Sequence, residues 1–208
     1  MNEGRVVHVI DDDEALRDSV RLFLVNAGFK VRTYAAAGEF LAALDSGITG
    51  CIVTDVRMPG MTGMELLAHL AAHDGALPVI VITGHADVPL AVRAMKQGAV
   101  DLLEKPFLAE DLIAAVRRAL ELRADAGDRQ LQDAQAKRAM LSARENEVLE
   151  RLIRGQPNKI IAYEMGISPR TVEVHRANVM KKTQAGSLSE LIRMFLNLER
   201  GQGSSAAR

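Results

Sequence analysis

Four consecutive acids, Asp11, Asp12, Asp13 and Glu14, break off the apolar run VVHVI, and another carboxylate, Asp55, closes the run CIVTD. Thr83 ends PVIVIT and Lys105 ends VDLLEK. Carboxylates a few ångströms apart repel, so either one takes up a proton or a cation sits among them. Hard oxygen donors with open positions favour Mg²⁺, which keeps waters and a substrate phosphate in its octahedron. With a cation present, the Asp55 carboxylate can attack a phosphoryl group and become an aspartyl phosphate. Metal, Lys105 ammonium and Thr83 hydroxyl then share the charge on the transferred oxygens. Each residue alone has a plainer reading. Asp13 and Glu14 suit the start of a helix, where the macrodipole favours negative charge. Asp55 suits a loop residue opening RMPGMTG, and Lys105-Pro106 a strand end with a cis peptide bond. What favours a site is that four separate segments end on these groups.

The segments that must position them are short, apolar and rich in β-branched residues: VVHVI at 6–10, FKVRTY at 29–34, CIVTD at 51–55, PVIVIT at 78–83 and VDLLEK at 100–105. Helical patterns lie between them. The clearest has Leu16, Val20, Phe23 and Leu24 at i, i+4, i+7 and i+8, with Gly28 as its stop. Strands alternating with helices, two of the strands continuously apolar, predict a five-stranded parallel sheet covered on both faces. The common order 2-1-3-4-5 places sites beyond the carboxyl ends of the strands, at the switch point between strands 1 and 3. Asp11, Asp12, Asp55, Thr83 and Lys105 all fall there.

The 208 residues, 48% of them hydrophobic, suffice for two small domains. No window approaches 18 uninterrupted apolar residues, and MNEGRVVHVI carries no cationic region or cleavage-site pattern, so the chain reads as cytoplasmic with no membrane partner. A single cysteine, Cys51, cannot form an intramolecular disulfide and reads as a small buried hydrophobe. The net charge of −1 conceals an asymmetry. Residues 1–120 carry 11 Lys+Arg against 16 Asp+Glu, residues 121–141 carry 4 and 4, and residues 142–208 carry 11 against 7. A basic last third is compatible with a polyanionic partner.

Residues 123–140, RADAGDRQLQDAQAKRAM, lose the strand pattern and most large apolar side chains, which predicts a partly helical linker. From Leu141 the pattern is helical throughout. Ser142 and Glu145 form a capping box ahead of Val148, Leu149, Leu152 and Ile153, and Gly155 ends that helix. NKIIAYEMG is a short helix closed by Gly166. Ser168-Pro169 then opens SPRTVEVHRANVMKKT with a capping residue before proline. Helix, turn, second helix is the organisation of a helix-turn-helix, and SLSELIRMFLNLE closes a four-helix domain.

Projected at 100° per residue, Val172, His175, Val179 and Thr183 share one arc of the second helix, which must pack. Glu173, Val174, Ala177, Asn178 and Lys181 occupy the opposite arc, short in side chain and basic toward its end. This suits entry into the major groove, where Val174 meets a thymine methyl. Arg176 lies at the edge, and Lys159, Arg170, Thr171 and Lys182 are placed to reach phosphates of double-stranded DNA. For any one of these cations a solvated surface is an equally good reading.

Residues 1–122 resemble a two-component receiver domain, on the motifs VIDDD, VTDVRMPGMTG, VITGH and LLEKPF. The resemblance implies a flavodoxin-like fold, phosphorylation of Asp55 by a sensor histidine kinase, and an acidic pocket of Asp11 and Asp12. It implies Mg²⁺ held chiefly by Asp12, Asp55 and the backbone carbonyl of Arg57, with Thr83 and Lys105 sensing and pairing the phosphate. Many receivers carry Tyr or Phe three residues before the lysine; Leu102 stands here and offers no aromatic ring to rotate. Residues 141–200 resemble the LuxR-type output domain, on NKIIAYEMGISPRTVEVHRANVM, which implies a DNA-binding domain over 141–208. Together they imply a transcriptional activator that binds promoter DNA and works with RNA polymerase. The segment 84–98 is apolar beyond one face, through Val88, Leu90, Ala91, Ala94 and Met95. Exposed, that strip would make the phosphorylated protein a homodimer.

Two other classes compete with this reading. A Mg²⁺ phosphohydrolase of the haloacid-dehalogenase type would use Asp11 as nucleophile and Asp13 as acid and base, but no Gly-Thr follows the acids, no cap domain is evident, and the last third would be unexplained. A protein adaptor would show no salt-dependent DNA binding by residues 141–208.

Overall fold

The computed structural model describes residues 6–44, 48–72, 77–121 and 127–205. Five strands form one parallel sheet in the order β2-β1-β3-β4-β5: β1 Val6–Ile10, β2 Lys30–Tyr34, β3 Gly50–Asp55, β4 Val79–Thr83 and β5 Asp101–Glu104. Helices α1 (Glu14–Asn26), α2 (Ala37–Ala42), α3 (Gly63–Ala71), α4 (Val88–Lys96) and α5 (Ala109–Glu121) alternate with them. The central strands β3 and β4 are buried along their whole length. Strand side chains alternate between faces. Val7, Val9, Cys51, Val53, Ile80 and Ile82 build one core with α1 and α5, while Ile10, Ile52 and Val81 are buried toward the other face. Cys51 lies inside that core, and burial pushes its thiol up to about 12. Edge strand β2 alone among the five has no buried residue, while the other edge strand, β5, is buried over Asp101–Leu103.

Helix boundaries follow local chemistry. Asp13 is the N-cap of α1, its side chain accepting from Leu16 N, and Glu14 sits in the first turn. These two acids serve the helix start, as expected for the second half of the acid run. After α6 (Gly127–Ala139) come α7 (Ala143–Ile153), α8 (Asn158–Met165), α9 (Pro169–Thr183) and α10 (Leu188–Ser205). Ser142 and Glu145 form the capping box of α7, Gly166 ends α8 in the left-handed conformation, and Ser168 caps α9 ahead of Pro169. The linker segment is helical over most of its length, whereas the boundary placed after residue 122 lies outside the described residues.

By compactness the chain divides into two units, Met1–Ala86 with Gln97–Ala124, and Asp87–Lys96 with Asp125–Arg208. The second is helical. Val148, Leu149, Leu152, Ile161, Val172, Val179, Leu191, Ile192 and Phe195 are buried, and α4 lies against α7 and α10 within this unit. The strip read as an exposed dimer face is therefore covered here: Val88, Leu90, Ala91, Ala94 and Met95 are all buried. Pro89, Arg93 and Lys96, at i, i+4 and i+7, keep one exposed stripe on α4 while its apolar residues are covered.

Candidate functional site

In the first unit, pairing register brings the acids together. Ile10 pairs with Thr54, so Asp11 and Asp55 leave adjacent strands side by side. Thr83 pairs with Glu104, which puts Lys105 one residue beyond. The Lys105 ammonium donates to Asp11 Oδ2 at 3.0 Å and to Asp55 Oδ1. Asp11 Oδ1 accepts from Asp13 N at 2.9 Å, and Asp55 Oδ2 accepts from Arg57 N at 2.5 Å. Burial pushes the Asp11 carboxyl up despite its hydrogen bonds to Asp13 N and Lys105. Burial also works against the Lys105 charge, but the contacts with Asp55 and Asp11 outweigh it and hold the ammonium above its ordinary range.

Asp12, next in sequence, is exposed. Thr83 is buried, and its hydroxyl donates to His85 O at 3.1 Å, within its own loop. That loop is tied to β5, since Ala86 N donates to Glu104 Oε1 at 2.9 Å. The start of α3 must come very close to the acceptor strand: Gly63 N donates to Val56 O, and a Cβ on Gly63 would lie 2.0 Å from Asp55 O. Only glycine fits there. Leu102 is buried in β5.

The donor set fits Mg²⁺. Among the described residues no three acidic, His or Cys side chains alone form a metal cluster, and Mg²⁺ asks for less, one or two carboxylates with waters and a phosphate completing the octahedron. Asp11, Asp12, Asp55 and the carbonyl of Arg57 would hold it. One contact was not foreseen from the sequence: Arg17 Nη1 donates to the carbonyl oxygen of Asp11 at 2.6 Å.

In the second unit, the two arcs of α9 separate. Val172, Val179 and Thr183 are buried and His175 is half-buried, while Glu173, Val174, Ala177, Asn178 and Lys181 face solvent. Lys159, Arg170 and Lys182 are exposed, and Thr171 is half-buried with its hydroxyl on Ser168 Oγ at 2.9 Å. Arg176 is half-buried; burial draws its guanidinium down, with Glu173 opposing. Lys182 Nζ donates to Glu145 Oε2 at 2.7 Å. The Glu145 carboxyl, held chiefly by Lys182 and then by Ser142 N, is depressed to about 2. Glu145 thus does more than cap α7, because it ties the start of that helix to the end of α9. Spacing along one helix carries no signal of this pair, which is 37 residues apart.

Comparison with known proteins defines the class. Residues 7–117 match the response regulator receiver domain, and residues 139–195 match the bacterial regulatory proteins of the luxR family. The chain belongs to the two-component response regulators with a LuxR-type DNA-binding domain, and it is a transcriptional regulator. Its resemblance is to FixJ: it is 54% identical over 203 residues to the transcriptional regulatory protein FixJ of Azorhizobium caulinodans, covering 94% of each chain. To FixJ of Bradyrhizobium diazoefficiens it is 52% identical, covering 91% of this chain and 94% of that one. Among solved structures it matches full-length FixJ from B. japonicum at 49% identity and TM-score 0.54, covering 95% of this chain and 98% of that one. Among the described residues no helix is long and apolar enough to cross a membrane.

Proposed function

We propose that this protein is a cytoplasmic transcriptional activator switched by phosphorylation of Asp55. The reading divides the chain into a receiver at 1–122, a helical linker at 123–140 and a DNA-binding domain at 141–208. A sensor histidine kinase presents its phosphohistidine; the Asp55 carboxylate forms the new P–O bond as the P–N bond breaks, and the imidazole leaves. Asp11, Asp12, Asp55 and the Arg57 carbonyl hold Mg²⁺, which when bound neutralises charge on the transferred oxygens. Lys105 pairs the phosphoryl oxygens from the other side. The Thr83 hydroxyl leaves His85 O for the phosphoryl group and moves the loop leading to α4. Uncovering Val88, Leu90, Ala91, Ala94 and Met95 then permits a homodimer, whose paired α9 helices suit a two-half-site promoter next to RNA polymerase.

The observation that carries this reading is the Lys105 ammonium shared between Asp11 and Asp55, in a chain that also displays an exposed α9 arc. Incubation with acetyl phosphate and Mg²⁺ should give one phosphoryl adduct by intact mass, lost in Asp55→Asn, and tighter binding to promoter DNA. Turnover of phosphate esters through Asp11 would overturn it in favour of a hydrolase.

A further inference from the structure

We infer that Arg17 is a positioning residue of the acceptor cleft, clamping the Asp11 carbonyl so that the Asp11 and Asp12 carboxylates are aimed at the bound cation. The inference rests on the function proposed above. Side chains on a helix lean toward its N-terminus. Arg17, in the opening part of α1, therefore reaches back over the loop it follows, and its Nη1 meets Asp11 O at 2.6 Å. A charge-assisted hydrogen bond of that length is a strong one. On the other side, Asp11 N donates to Tyr34 O at the end of β2 at 3.3 Å. The backbone of Asp11 is thus held from two elements. The clamped carbonyl belongs to the peptide plane that also carries Asp12 N, so fixing it fixes the direction in which Asp12 leaves the strand.

The helix does not need this contact to begin, because Asp13 already caps it and Glu14 occupies its first turn. Nor does electrostatics favour it for metal binding: a guanidinium beside the cleft repels a divalent cation. The two roles predict opposite signs. If Arg17 acted only as a charge, its removal would tighten Mg²⁺; as a clamp, its removal loosens the carboxylates and weakens Mg²⁺. Groups that orient metal ligands are worth roughly 10–100-fold in affinity, and one hydrogen bond to a backbone carbonyl belongs at the low end.

The test is calorimetric titration of Mg²⁺ into the full chain, in wild type, Arg17→Ala, Arg17→Met and Arg17→Lys, with adduct formation from acetyl phosphate followed against Mg²⁺ concentration. Arg17→Ala and Arg17→Met should weaken Mg²⁺ about tenfold, and Arg17→Lys, which keeps one donor and the charge, should recover part of the loss. The half-saturating Mg²⁺ concentration should rise by the same factor, with a smaller fall in maximal rate. Binding that is unchanged or tighter without the guanidinium overturns the inference, as does a fall in maximal rate at constant half-saturation. Arg17→Met preserves the aliphatic stem and decides the matter if the alanine variant loses its circular dichroism. Wild-type protein that binds no Mg²⁺ and forms no adduct would instead sink the proposed function itself.

Discussion

In the receiver Asp11, Asp55 and Thr83 are withdrawn from solvent, at 4%, 6% and 3% exposed, whereas on α9 Glu173, Val174, Ala177 and Lys181 stand in the open. The two regions handle charge differently for that reason. In the cleft Asp11, Asp55 and Lys105, from three different strands, compensate one another, and removing the lysine leaves buried carboxylates uncompensated. On an exposed helix face each cation acts almost alone, through screened attraction to phosphates and counterion release. Substitutions in the cleft should therefore be near all-or-none, and those on the helix graded and dependent on salt.

The largest effect that tests this contrast is expected at Lys105. Lys105→Met should slow adduct formation from acetyl phosphate about 100-fold, the scale for losing one group that stabilises transferred charge. A loss of only a few-fold would make the cleft as forgiving as the helix. Gly63→Ala should follow, at about tenfold, because its Cβ would fall 2.0 Å from Asp55 O and a shift of the acceptor by even an ångström is costly.

On the helix side, Lys159→Ala should weaken DNA binding uniformly across sequences and lower the slope of log K against log salt by about one. Lys182→Ala should change that slope less, since Glu145 already pairs with the ammonium. Equal slopes for the two variants would show that the pair opens on DNA.

The smallest effect expected is on stability. Glu145→Ala removes a capping-box partner and an ion pair, a loss of about 1 kcal/mol, read from thermal unfolding. The Glu145 carboxyl is depressed from 4.5 to about 2 in the folded protein. Its contribution is then fully present above pH 4.5 and lost as pH falls toward 2. The gap between wild type and Glu145→Ala should narrow over that window; a gap of constant size down to pH 2 would assign the effect to helix propensity instead.

Much of the cleft was legible in the sequence, because a parallel sheet converts sequence position into spatial position. Five apolar runs with their polar ends in register leave few ways to arrange Asp11, Asp55, Thr83 and Lys105 other than around one point. The arcs of α9 were legible for the same kind of reason, 3.6-residue periodicity sorting Val172, Val179 and Thr183 from Val174 and Ala177. Three features were not. The apolar residues of α4 gave no indication of what covers them, since apolar composition is the same for an open face and a buried one. Glu145 and Lys182 are far apart in sequence, and their pairing follows from how α7 and α9 pack. Arg17 carries no motif of its own.

By itself the sequence determined the alternation of strands and helices, the strand ends on which the chemistry sits, the caps that start α1, α7 and α9, and which arc of α9 must pack. These depend on periodicity and local hydrogen bonding, which are properties of neighbouring residues. The tertiary structure alone decided that Lys105 bridges two carboxylates, that the apolar residues of α4 are covered, and that Glu145 reaches across to Lys182. Such choices depend on which distant groups are brought within a few ångströms, where burial strengthens the interaction between charges and makes an unpartnered polar group costly.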